Sequence, residues 1–162
     1  MTLDELIAKL EAIRDDAAAA MPACAMAMAD TYKTHLTTVT LRRSFAAPGQ
    51  FGTPAPVGSP VAWRTGALAA SVTAWPGAFS GFTATAHVAP HTVYAATQEY
   101  GREIFAKRTY MHWINDRGPW WKKRVYVPPR PYLGPALRDV VEDGSLVRAA
   151  GARFAELTGL QR

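Results

Sequence analysis

The chain has 162 residues, 49% of them hydrophobic, a net charge of +5 and a single cysteine, Cys24. That length supports one domain with a core of its own, and one cysteine excludes both an internal disulfide and any zinc site built from several thiolates. The most apolar stretch, residues 17–29, contains Pro22 and falls short of the roughly 20 residues that span a bilayer.

Leu3, Leu6, Ile7, Leu10 and Ile13 recur at helical spacing, so the chain is expected to open as an amphipathic helix with Thr2 as its N-cap. Asp4, Glu5, Glu11, Asp15 and Asp16 make this end acidic, unlike the basic start of a secretion signal, and a soluble protein made in the cytoplasm is expected. Pro22 is read as a kink or restart, followed by a second helical stretch over residues 23–36, and the β-branched run from Thr37 to Thr40 discourages further helix. Residues 1–38 thus form an amino-terminal helical region. Residues 42–63 are rich in proline and glycine, a composition that packs poorly and reads as an exposed arm or loop.

Residues 64–127 read as an antiparallel sheet region. A turn at Arg64, Thr65 and Gly66 leads into a strand through Ala70, Val72 and Ala74; Pro76 and Gly77 are placed in the connection; and Phe82, Ala84, Ala86 and Val88 alternate as a second strand. A short helix or turn ends at Gly101, residues 103–114 are a further strand candidate, residues 115–121 a turn, and residues 122–127 an edge strand protected by Lys122, Lys123 and Arg124. Residues 128–133 form a proline-rich hinge. Residues 134–160 form a helical region interrupted near Gly144 and Ser145. The expected fold is a single α+β domain over residues 1–162: a long amino-terminal helix, an antiparallel sheet of about four strands, and a carboxy-terminal helix packing on the sheet.

Charge is segregated along this order. Residues 1–41 carry six acidic and three basic side chains, whereas residues 101–130 carry eight basic and two acidic. In the basic region Arg102, Lys107, Arg108, Lys122, Lys123 and Arg124 interleave with Trp113, Trp120 and Trp121. Such a surface suits phosphate and stacked bases, an acidic protein neighbour, or a second copy of this chain bringing its own acidic arm. Tryptophan and arginine also anchor protein interfaces, so composition does not choose among them.

No catalytic constellation is legible. There is no phosphate-binding loop, dinucleotide fingerprint or nucleophile elbow. His87 and His91 are four apart, but Pro90 and the preceding strand keep them off one helical face, and no metal or other cofactor is expected. Glu99 is the only acid in residues 65–100, and an ion pair with Arg102 or another arginine is its expected role.

Three segments in order, covering residues 58–72, 93–108 and 127–137, carry the patterns Thr65-Gly66-x-Leu68-x-x-Ser71, Tyr94…Glu99-Tyr100-Gly101 and Pro129-Arg130-Pro131-Tyr132-Leu133…Leu137. With an amino-terminal helix ahead of them, they resemble the tail-completion proteins of long-tailed bacteriophages, the minor tail protein Z-like and virion morphogenesis group. The resemblance implies a non-catalytic structural protein of the head–tail junction. It would act as copies in a ring, beside tail and head-connector proteins and with DNA passing through the neck. The Pro/Gly arm and the tryptophan-rich residues 109–123 depart from the family pattern. In this reading the prolines around Arg130 hold that cation extended off a rigid base, the alternative being a stiff connector with a solvated arginine.

Overall fold

A computed structural model describes residues 2–42, 66–115 and 118–159. The Pro/Gly arm from residue 43 onward, Thr65 and residues 116–117 lie outside the described residues. The fold is α+β, with a long amino-terminal helix, short strands in small antiparallel sheets and carboxy-terminal helices. Two compact units are present. One takes the chain up to Thr34, Thr73–Ala89 and the chain from Asp139; the other takes His35–Val72 and Pro90–Arg138.

In the first unit, helix α1 (Leu3–His35) begins at a reciprocal cap: the Thr2 N–H donates to Glu5 Oε2 at 2.8 Å and the Glu5 N–H to Thr2 Oγ at 3.3 Å. The helix continues through Pro22 rather than restarting there. Proline in a helix interior costs about 3 kcal/mol, but Ala20, Cys24 and Ala29 are buried around it, so packing holds the segment helical. Hairpin strands β1 (Val72–Ser80) and β2 (Thr83–Pro90) form a two-stranded sheet. Pro76 and Gly77 were expected in the connection, yet both lie inside β1, and Gly81 with φ 56° makes the turn. In a two-stranded sheet each strand has an open edge that tolerates a missing N–H. A Cβ at Gly77 would lie 2.6 Å from His87 Nε2, so a side chain there would displace His87, which stacks on Trp75 with ring centroids 5.6 Å apart. Helix α5 (Ser145–Thr158) restarts after Gly144 at φ 71°, where Asp143 Oδ1 accepts the Ser145 N–H at 2.7 Å.

In the second unit the chain leaves α1 through a π turn (Leu36–Thr40), so the β-branched run widens the helix instead of ending it. Leu36, Thr40 and Leu41 are buried there, and the turn contacts helix α2 (Ala67–Ala70). Helix α3 (Ala95–Tyr100) ends at Gly101. Strands β3 (Arg102–Phe105), β4 (Met111–Asn115), β5 (Gly118–Lys122) and β6 (Arg124–Val127) follow, then helix α4 (Leu133–Glu142), which crosses into the first unit. The strand expected over residues 103–114 is thus two strands, and the turn expected at 115–121 is mostly β5. Among the described residues six strands pair two by two in small antiparallel sheets, where one sheet of about four strands was expected.

The pairing of β3 to β6 is nested. Phe105 faces Arg124, Met111 faces Lys122, and the Ala106 N–H donates to the Lys123 carbonyl at 2.8 Å. Five residues on the leading strand therefore lie opposite one on the returning strand, leaving residues 107–110 as a four-residue bulge in one long ribbon. No third strand flanks this ribbon among the described residues.

Gly101 sets the ribbon's base. Its φ is 70°, and a Cβ there would lie 2.8 Å from the Pro129 nitrogen and 3.0 Å from the Val127 carbonyl oxygen. Gly101→Ala should lower unfolding free energy by about 1–3 kcal/mol, because both backbone conformation and space forbid the side chain. Gly134→Ala, in helix α4 where a Cβ meets nothing within 4 Å, should be neutral or stabilising by up to about 1 kcal/mol. Urea denaturation of the two variants checks the contrast; equal midpoints would contradict it.

Candidate functional site

The Pro129 to Leu133 motif and the Glu99 motif meet in space. Between Val127 and Tyr132 the three prolines leave Arg130 as the one residue with a backbone N–H, and it donates to the Gln98 carbonyl at 2.7 Å. The next two N–H groups, of Tyr132 and Leu133, both donate to Glu99 Oε2, at 2.8 and 3.1 Å. A carboxylate at a helix start satisfies donors that the helix itself leaves open and opposes the positive end of its dipole. The fully buried Tyr132 completes the joint by donating its hydroxyl to the Ala95 carbonyl at 3.3 Å. Pro135 sits in the first turn of α4, where a missing N–H costs little.

The prolines around Arg130 are therefore explained by donor accounting: the stretch runs beside α3 with one N–H to satisfy, and satisfies it. Arg130 itself is half-buried rather than held out in solvent. Glu99 was expected to pair with an arginine, and instead caps the backbone of α4. Sequence gave no signal for that partner, which lies 33 residues away.

The first motif is also structural. Gly66 adopts φ 74° before α2, Leu68 is buried, and Ser71 Oγ donates to the Leu68 carbonyl at 2.8 Å. The His91 N–H donates to both the Ser71 carbonyl and Ser71 Oγ, at 3.1 and 3.2 Å. Other motif positions do not join these clusters: Tyr94, Tyr100 and Leu137 are exposed.

The ribbon carries the residues singled out as interface candidates. Alternation along paired strands puts Glu103, Phe105, Arg124 and Tyr126 on one face of β3–β6, with Ile104, Val125 and Val127 on the other. The first face is open: Phe105 is 64% and Tyr126 65% exposed. Arg124 lies 3.3 Å from Glu103 on that face. Lys107, Arg108, Lys122 and Lys123 are exposed beyond its end and Arg102 is exposed on the opposite face, with Lys123 Nζ 5.7 Å from the Tyr110 ring centre. Farther out, Trp113 faces Trp120 in register, and exposed Trp121 sits opposite His112 with ring centroids 4.2 Å apart. A second open surface is the start of α1, where residues 2–16 are all exposed, the five apolar residues of its stripe included.

Among the described residues no group of three potential metal ligands comes together, and no helix is long and apolar enough to cross a membrane. Compared with protein-family models, curated proteins and solved structures, the chain finds no match.

Because Glu99 caps α4, Glu99→Ala should destabilise by about 1.5–3 kcal/mol, the range for hydrogen bonds to a charged group. Arg102→Ala, which removes the expected ion-pair partner, should change stability by less than about 0.5 kcal/mol. Chemical denaturation of both variants checks this; equal losses would restore the ion-pair reading.

Proposed function

We propose that this chain is a structural subunit of a long-tailed phage or phage-like particle, completing the tail end and joining it to the head as one of several copies in a ring. The observation that carries the reading is the joint between Glu99 and the start of α4, which ties together two of the three segments resembling tail-completion proteins. The open apolar surfaces at the start of α1 and on the ribbon support it further, because contiguous exposed apolar surface marks contact sites. Its neighbours would be tail and head-connector proteins in the virion neck, and the role requires no catalysis. Deleting the gene and imaging particles by electron microscopy tests it: full heads and separate, unjoined tails are expected, and normally joined particles would overturn it.

A small basic nucleic-acid-binding module is the second reading, favoured by one observation: an exposed two-stranded ribbon rimmed with cations has the form that β-ribbon readers insert into a DNA groove. It predicts duplex affinity that falls steeply with salt. Weak, salt-insensitive binding would end it.

For the joining role, reversing Lys122, Lys123 and Arg124 to Glu should leave the circular dichroism spectrum unchanged, since all three are exposed, and abolish joining of heads to tails. Full joining by that variant would remove this edge of the ribbon from the interface.

A further inference from the structure

The first four turns of α1 and the open face of the ribbon are complementary in two respects. The helix presents an apolar stripe with Asp4, Glu11 and Asp15 along one flank, at spacings of seven and four residues that keep them on one side; Asp15 also pairs with Arg14, at 2.9 Å, in an exposed contact. Over residues 2–16 it carries five acidic and two basic side chains. The ribbon presents Phe105 and Tyr126 on a face they share with Glu103 and Arg124, which pair with each other, and the surplus positive charge lies at the rim of that face, beyond the end of the β3–β6 pairing, at Lys107, Arg108 and Lys123. Exposed aromatic side chains set beside charged ones mark a protein contact.

We infer that the arm formed by residues 3–16 of one copy docks on the open β3–β6 face of the next copy, apolar stripe over Phe105 and Tyr126, acidic flank against the basic rim. Both surfaces are exposed in the single chain, and each offers what the other lacks: the arm extends the packed part of α1 with an apolar stripe open to solvent, and a two-stranded ribbon gains stability by packing against a helix. The contact joins two different patches, so it repeats head to tail and closes into a ring when the rotation between copies allows. It names the subunit contact of the ring proposed above and rests on that reading for its biological setting.

Charge exchange between two variants tests it. The arm variant carries Asp4→Lys, Glu11→Lys and Asp15→Lys; the ribbon variant carries Lys107→Glu, Arg108→Glu and Lys123→Glu. All six positions are exposed. In sedimentation-velocity runs the unaltered chain should form a concentration-dependent oligomer, each variant alone should sediment as a monomer, and their equimolar mixture should recover the oligomer. Recovery by mixing also shows that both variants are folded. A wild-type chain that stays monomeric at all concentrations overturns the contact but leaves the joining role intact, since that role is scored separately on particles. Oligomers unaffected by either variant would place the interface elsewhere. Loss of duplex DNA binding in the ribbon variant, with self-association unchanged, would assign the ribbon to nucleic acid and overturn the contact.

Discussion

The carboxylate of Glu99, accepting the N–H groups of both Tyr132 and Leu133, is the constraint on which the second unit depends. It closes a loop of more than thirty residues by fixing the end of α3 to the start of α4. A flexible loop of that length carries a closure entropy that several converging bonds must offset. Here they are the Glu99 cap, the Arg130 bond to Gln98 and the buried Tyr132 hydroxyl on Ala95. Prolines at 128, 129 and 131 reduce the freedom the unfolded stretch has to lose and leave no second donor in it to satisfy.

What lies inside the closed loop is the ribbon. Its first paired residue, Arg102, follows Gly101, and its last, Val127, precedes Pro128, so the joint grips the ribbon at its base. Two strands with no third neighbour among the described residues bury little, and the anchor gives them a fixed root while both long edges and one face stay open. Local order is thus concentrated at the joint, and contact surface is concentrated away from it. That division suits a subunit that completes its packing in an assembly, and it is why the proposed role is read from surfaces rather than from a catalytic centre.

Features governed by near neighbours were legible in the sequence. Thr2 capping α1, Gly101 ending α3, Gly144 separating α4 from α5 and Pro135 in a first helical turn each follow from a few adjacent residues. Features governed by distant partners were not. Pro76 and Gly77 look like turn residues, yet β1 runs through both, and its open edge tolerates the missing N–H of Pro76. The run Thr37 to Thr40 is unfavourable for helix, yet Leu36 and Leu41 are buried on either side and the chain coils more widely through it. Glu99 stood out as a lone acid, but an arginine was the natural partner to name when the backbone it caps lies so far along the chain. Of the candidate surfaces, the cations and aromatics were visible in the sequence; that Phe105 and Tyr126 share an open face required the register.

Residue-resolved amide hydrogen exchange on the unaltered protein tests the central claim most directly, since exchange reads local opening free energies across the chain. The account predicts that the N–H groups of Arg130, Tyr132 and Leu133 exchange among the slowest in the second unit, although the stretch that contains them includes no regular structure before α4. Those of residues 3–10 and of the ribbon strands should exchange orders of magnitude faster. Exchange at residues 130–133 as fast as at the start of α1 would contradict it, and would mean that the joint does not hold the fold together.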